Sequence, residues 1–329
     1  MTAAVPIRRP RVEAEDDCVL PFAVEPLDVR GRVVRLGPAL DELLANHGYP
    51  DPVARLVAEA SALGVLLTST LKFSGRFTLQ TQTDGPVDML VVDIAAPDRV
   101  RAYARFDDKR VAALPAVYDA GALTGNGHLA MTIERADDPN RYQGIVALTG
   151  GSLEDAAHQY FARSEQIPTR VRLAVAEEIR PGRASGWRAG GPLAQFLPRE
   201  PARARVSDLD PGDAPKGTPR HEIAAADAWL EAQALVETVE DHELVDPDLS
   251  SERLLWRLFN ERGVKVFRSQ PIVARCRCSR ERIARLLNTF EPAQRAGMVE
   301  NGRVTVKCEF CGRSYDFDPQ EIGGEQSSS

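Results

Sequence analysis

The sequence predicts an α+β protein, with a large N-terminal α+β domain, a helical linker region and a small C-terminal unit built around cysteines. Three observations carry the prediction. Period-two alternation recurs across residues 18–198, with a few helical patterns set between runs of strands and not after each strand. At 199 the composition turns to Pro, Gly and charge. Beyond residue 270, a chain with only five cysteines places four of them in two close pairs.

Residues 1–17 hold Arg, Pro and acids without periodicity and are expected to form a mobile leader. Strands follow in CVLPFAV (18–24) and VRGRVVRLG (29–37). DELLANHG (41–48) and DPVARLVAEASALGVLLTSTLKF (51–73) read as helices, the second because Val53, Leu56, Val57, Ala60, Leu63 and Leu67 recur at helical spacing. RFTLQTQTDG (76–85) alternates strictly, with Phe77 and Leu79 on one face, and Asp84-Gly85 marks a turn. VDMLVVDIA, RVRAYARF, GHLAMTIE and YQGIVALT extend the strand series to residue 149. SLEDAAHQYFARSEQ (152–166) is a helix in which Ser152 is the N-cap and Asp155 sits at the third helical position, close to a capping box. PTRVRLAVAEEI (168–179) returns to strand, and the helices of 18–198 are expected on one side of the strands.

Residues 199–270 read as a linker and helical segment. The 199–220 part has almost no large apolar residue. After it, EIAAADAWLEAQALVETVE carries Trp229, Ala232, Val236 and Val239 on one stripe, and SSERLLWRLFNERG carries Leu254, Leu255, Leu258 and Phe259, with Gly263 as C′ residue. Helices this short must dock elsewhere to be stable. In 271–318, Ser279 caps a helix bearing Ile283, Leu286, Leu287 and Phe290, and GRVTVKCEFCGRSYDFD forms two short strands joined by a turn that holds cysteines. Residues 319–329 are expected to be a disordered tail.

Composition narrows the function classes. The chain of 329 residues is 43% hydrophobic and 27% charged, as in soluble globular proteins. Its net charge of -7 gives no support to a general nucleic-acid or anionic-membrane binder. The most apolar stretches, VLL (65–67) and MLVVDIAA (89–96), fall short of the ~20 residues a bilayer needs. The first residues lack the apolar core of a secretory signal, so the expected compartment is the cytoplasm. Thiols stay reduced there, which favours metal ligation or redox sensing over structural disulfides.

The cysteines read C-x-C (Cys276, Cys278) and C-x-x-C (Cys308, Cys311). Four thiolates at about 2.3 Å around Zn²⁺ make a closed tetrahedral site, and no histidine of this segment competes as ligand. A unit of this size buries little core, so one zinc is a sensible staple, worth on the order of 10–16 kcal/mol in apparent binding. Residues 271–318 are thus expected to be a zinc-binding domain with Cys276, Cys278, Cys308 and Cys311 as ligands. A purely structural ribbon is one reading. The other is a redox switch, since each close pair can become its own disulfide, Cys276–Cys278 and Cys308–Cys311, and so expel the metal. The spacing is compatible with both. Thioredoxin-like chemistry is disfavoured because GRSYDFD reads as strand, leaving Cys308 without a helix N-terminus. Residues 275–318 are only mildly basic and poor in aromatics, which speaks against nucleic acid.

Other motifs are weak. GNGHLA (125–130) fits G-x-G-x-x-A but precedes a strand, so it reads as a turn. TGG (149–151) before the Ser152 helix could bind an anion or simply be a turn. Cys18 reads as a small buried hydrophobe. No Walker A motif, Gly-x-Ser-x-Gly elbow or His-Glu-x-x-His occurs.

CRCSRERI with CEFCGRSYDF, together with LLTSTLKFSGRFTLQTQTDGPVDMLVVDI (66–94), GNGHLAMTI, YQGIVALTGGSLEDAAHQYFARSEQIPTRVRLAV and WRAGG, resembles the redox-regulated 33 kDa heat-shock chaperone family over most of 18–318. The resemblance implies a non-enzymatic, ATP-independent holdase. Its reduced form is an inactive monomer with one zinc on Cys276, Cys278, Cys308 and Cys311. Oxidants such as hypochlorous acid form the two neighbouring-pair disulfides and release zinc. The zinc unit and linker then unfold, and the protein dimerises and holds unfolding clients. If the 222–262 helices rest against the zinc unit, they would then expose Trp229, Leu255 and Phe259 as client-binding residues. The alternative is an enzyme or RNA-associated factor with a purely structural zinc ribbon.

Overall fold

The computed structural model describes residues 15–71, 73–119, 121–179, 182, 185–197 and 220–322. The leader up to residue 14, the 199–219 loop and the last seven residues lie outside them. β1 (Cys18–Val24) and β2 (Val29–Leu36) pair antiparallel and open a first sheet. Asp16 and Asp17, expected to be mobile, are held. The Asp17 carboxylate accepts from the Gly37 and Ala39 amides at 2.9 and 3.0 Å, which satisfies free N–H groups at the start of α1 (Pro38–Leu44). Asp16 pairs with Arg188.

α2 (Asp51–Thr70) is buried around almost its whole circumference from Val53 to Thr68. By length and composition it could cross a membrane, which the sequence reading overlooked, but 78% of its apolar window is buried inside the fold. Its ASALGVLL run has no polar face, so a position on one side of a sheet would leave apolar surface in water. It lies instead between two sheets, against Val34 and Leu36 of the first and Val92 and Ile94 of the second. The expectation of helices on one side is corrected accordingly.

The second sheet is an antiparallel meander of β3 (Gly75–Thr83), β4 (Val87–Ala95) and β5 (Arg99–Phe106), followed after α3 (Asp108–Ala112) by β6 (Asn126–Arg135) and β7 (Arg141–Thr149). Alternation fixes its faces: Val100, Ala102 and Ala104 are buried towards α2, while Arg101 and Tyr103 point the other way. GNGHLA is turn and strand, with the Asn126 amide held by the Asp84 carboxylate at 2.7 Å. α4 (Leu153–Tyr160) has the Ser152–Asp155 capping box. That box puts the chain's own carboxylate at the helix N-terminus, where TGG might have held an anion. A π-helical turn extends it over Phe161–Glu165.

β8 (Thr169–Val171), β9 (Ala174–Glu178) and β10 (Gly186–Phe196) return to the first sheet, where β10 lies between β2 on one side and β8 and β9 on the other. Gly190 and Gly191 allow close approach: a Cβ there would meet the Leu244 and Arg172 carbonyl oxygens at 2.1 and 2.0 Å.

The helical segment comprises α5 (Arg220–Glu237), α6 (Asp241–Val245) and α7 (Ser251–Phe259). Among the described residues it packs on the first sheet and not on the cysteine unit. Ala232, Val236, Leu255 and Phe259 share a core with Leu20, Phe22, Val24 and Val33. Two arginines clip α6 down. Arg35, 1% exposed, donates to the Asp246 and Glu243 carbonyls at 2.8 and 3.1 Å, and Arg188 Nε donates to the Val245 carbonyl at 2.8 Å. The premise that the 222–262 helices rest against the cysteine unit is therefore corrected. The apolar stripes of α5 and α7 are read rightly, but the first sheet offers the larger apolar face.

From α7 the chain runs as a strap of three two-residue strands: β11 (Lys265–Val266), β12 (Gln270–Pro271) and β13 (Val273–Ala274). The first two pair with β1, and β13 pairs parallel to β5. Ile272 is buried in the main core, so 271–275 pack with the N-terminal sheets, ahead of the expected small unit. That unit is α8 (Arg280–Leu287), α9 (Pro292–Gly297) and the hairpin β14 (Val304–Lys307) with β15 (Ser314–Phe317). Ser279 caps α8 through the Arg282 amide. Ile283 and Leu287 are buried, whereas Leu286 and Phe290 are exposed. Its core is closed by Ile322, 3% exposed, so residues 319–322 belong to the unit and not to a loose tail.

Candidate metal centre

Each cysteine is placed by an element end. Cys276 and Cys278 lie between β13 and the Ser279 cap of α8; Cys308 and Cys311 lie in the turn joining β14 to β15. The turn is a tight knuckle: the Cys308 amide donates to the Arg313 carbonyl at 2.9 Å, the Gly312 amide donates back to the Cys308 carbonyl at 2.8 Å, and Gly312 has φ +63°.

The folding back of this hairpin brings residues 32 and 33 apart in sequence into contact. The sulfurs of Cys276 and Cys308 are 3.7 Å apart, those of Cys278 and Cys311 are 3.3 Å apart, and all four lie within 4.8 Å of one another. A tetrahedron with ~2.3 Å metal–sulfur bonds has sulfur–sulfur edges of about 3.8 Å, so the cluster has the size of a four-thiolate metal site. All four are free thiols, half-buried.

Electrostatics point the same way. Burial raises the Cys276 thiol, but the Cys278 amide and the thiols of Cys278, Cys308 and Cys311 hydrogen-bond its sulfur and bring it down to about 7. Cys308 and Cys311 are raised, first by burial and then by the neighbouring sulfurs. Sulfurs this close cannot all carry negative charge unless a cation lies among them. Soft thiolates in this number suit zinc. The Tyr315 hydroxyl is 3.1 Å from Cys278 Sγ and donates to it once that sulfur is a thiolate.

The knuckle leans on the N-terminal domain through residues that carry no sequence signal. Arg101 lies over the Phe310 ring, 3.9 Å from its centroid, and Tyr103 contacts the same ring. Asn46 Nδ2 donates to the Cys311 carbonyl at 3.1 Å. Phe310, the second x of C-x-x-C, gives no hint of this role without the outward register of β5. Of the expected client-binding residues, Leu255 and Phe259 are buried and Trp229 is partly covered. Leu255 is 0% and Phe259 1% exposed, Phe259 stacks on Phe22 at 5.8 Å, and Trp229 sits half-buried against Phe196. Cys18 is buried in β1; burial, with Glu15 next, pushes its thiol up to about 12, which leaves it unreactive.

A two-sheet α+β body, a helical segment clipped to it and a separate small unit that gathers four thiols define a class of protein with a cysteine-centred appendage. The family model for the Hsp33 protein matches residues 17–318. A 33 kDa chaperonin of Caulobacter vibrioides is 45% identical over 308 residues, covering 92% of this chain and 95% of the relative. One from Pseudomonas syringae pv. syringae is 37% identical over 306 residues, covering 92% and 90%. The crystal structure of the 33 kDa chaperonin of Thermotoga maritima shares the fold, with a TM-score of 0.70 over 93% of this chain and 96% of that one at 19% identity. The chain belongs to the Hsp33 family.

Proposed function

We propose that this protein is a redox-regulated, ATP-independent holdase that binds unfolding proteins and prevents their aggregation during oxidative stress in the cytoplasm. The observation that carries the reading is the dual geometry of the thiols: four sulfurs within 4.8 Å in space, yet two pairs that are local in sequence. In the reduced state Cys276, Cys278, Cys308 and Cys311 hold one zinc per chain. Bound there, zinc supplies a cross-link that keeps the sulfurs as thiolates and fixes the hairpin against α8.

An oxidant such as hypochlorous acid takes two electrons from each pair. Cys276 joins Cys278 and Cys308 joins Cys311, so no thiolate is left to hold the metal. The small unit, whose core is little more than Ile283, Leu287, Val304, Phe317 and Ile322, then loses its main cross-link. The helical segment rests on the first sheet, so its release runs through the 265–274 strap, whose three strands offer two residues each. Once the strap lets go, Trp229, Leu255 and Phe259 become available to clients or to a second copy of the chain in an oxidised homodimer. No nucleic acid, membrane or catalytic turnover enters this reading.

The test is zinc release, followed with a chromogenic chelator while hypochlorous acid is added to the reduced protein, with client aggregation measured on the same samples. About one zinc freed per chain as holdase activity appears is the expected result. Zinc retained until denaturation would make the site a structural ribbon.

A further inference from the structure

Beside the cysteine cluster lies a cleft of about 310 Å³ between β4, β5 and the 275–278 segment. Cys276 and Cys278 form one wall, and Arg99, Arg101, Arg275 and Arg277 line most of the rest beside Ala95, with Asp93 the only acid among the described residues. Asp93 is already used: it accepts two N–H groups of Arg101, and Arg76 lies 3.6 Å away. Arg99 has Asp98 at 3.8 Å, but no carboxylate lies within ion-pair distance of Arg275 or Arg277 among the described residues. In a chain of net charge -7 this is a local inversion of sign. Balancing the charge of the thiolates accounts for part of it, yet two guanidinium groups still face an open cleft.

We propose that this cleft binds small disulfides that carry carboxylates and selects them as oxidants of Cys276 and Cys278; the inference rests on the redox reading above. Free guanidinium forks match carboxylates in geometry and charge. A concave, one-signed site raises the local concentration of an oppositely charged reactant. The chemistry closes without another reactant. One thiolate of the pair attacks a sulfur of the bound disulfide, forming a mixed disulfide and expelling one small thiolate. The second cysteine then attacks the protein sulfur of that bond, forming Cys276–Cys278 and expelling the other small thiolate. Two electrons leave the protein pair and reside on the two released thiolates.

The test uses the full-length, metal-loaded protein and follows the rate of thiol loss at Cys276 and Cys278. Glutathione disulfide is the anionic probe, hydroxyethyl disulfide the neutral one and cystamine the cationic one. The wild type should react about tenfold faster with glutathione disulfide than its reaction with the neutral probe predicts, and the advantage should fade with salt. Arg275→Gln/Arg277→Gln should lose the advantage, its ratio of anionic-probe to neutral-probe rates falling about tenfold whatever its absolute rates. Should that variant lose its metal, Arg275→Lys/Arg277→Lys replaces it, with the advantage at least partly retained. Equal charge preference in wild type and the glutamine variant would overturn the inference. If hypochlorous acid still forms both disulfides in that case, the holdase reading stands; if no oxidant forms them, the holdase reading itself fails.

Discussion

Truncation of Phe259 to alanine asks whether docking of the helical segment is what keeps its apolar stripe away from clients. The Phe259 ring is 1% exposed and stacks on Phe22, itself 1% exposed, at 5.8 Å and 29°. It packs in a small core with Leu20, Val24, Val33 and Leu255. Phe→Ala in such a core costs about 3–5 kcal/mol. Because α5–α7 forms a layer outside the main core, most of that cost falls on local release and not on global unfolding. With 1.4 kcal/mol per factor of ten, about 4 kcal/mol raises the released population roughly a thousandfold. The assay is native-state hydrogen exchange of α5 and α7 amides in the reduced, metal-loaded protein, with client aggregation on the same sample. Faster exchange, some holding activity without oxidant and unchanged metal content are expected. Exchange protection within about 1 kcal/mol of wild type would refute the docking argument. Release without activity would remove these helices from the client-binding surface.

Further outcomes follow from other sites. Cys308→Ala removes one of the four proposed ligands and should weaken zinc binding and loosen the C-terminal unit; an unaltered metal content would refute its ligand role. Arg35→Met keeps the aliphatic stem but strands the Glu243 and Asp246 carbonyls, and should lower stability by about 3 kcal/mol in urea unfolding, with α6 amides losing protection first. Burial, with Glu154 next, pushes the Glu59 carboxyl up to about 7, with Arg55 opposing. The folded state thus keeps a proton that the unfolded state loses near pH 4.5, so this group's stabilisation is present below about 4.5, is lost as pH rises towards 7 and is flat above. Glu59→Gln should remove that slope, read as urea midpoints at pH 5 and 8. Gly312→Ala places a Cβ 2.3 Å from the Asn46 carbonyl oxygen at φ +63°, and should detach the knuckle, seen as solvent exposure of Phe310.

Legibility in the sequence follows the local signals. The α2 spacing, the Ser152–Asp155 box, the Ser279 cap and the cysteine hairpin announce themselves within a few residues. β10 does not, because GWRAGGPLAQF carries Gly190, Gly191 and Pro192 where a strand pattern expects branched residues, and only the close approach of α6 and the Arg172 segment explains them. The strap strands are too short for any periodicity. The C-x-C and C-x-x-C spacings announce a candidate metal site, but which face receives the knuckle depends on β5's outward residues, Arg101 and Tyr103. Docking of α5 and α7 is likewise a tertiary choice: their apolar stripes say that they must be covered, not by what.

The strap also finishes the sheets. β11 and β12 cover the backbone of β1 at Phe22, Ala23, Cys18 and Val19, and β13 covers β5 at Arg99 and Val100. Apart from the strap, β1 and β5 are terminal strands of the two sheets. Peeling it away therefore does more than uncover apolar side chains. It leaves two rows of amide and carbonyl groups without partners, on opposite sheets, at the same moment. Terminal strands in that condition are templates for any extended chain, regardless of its side chains. A few residues of closure thus serve the resting protein as protection against its own aggregation.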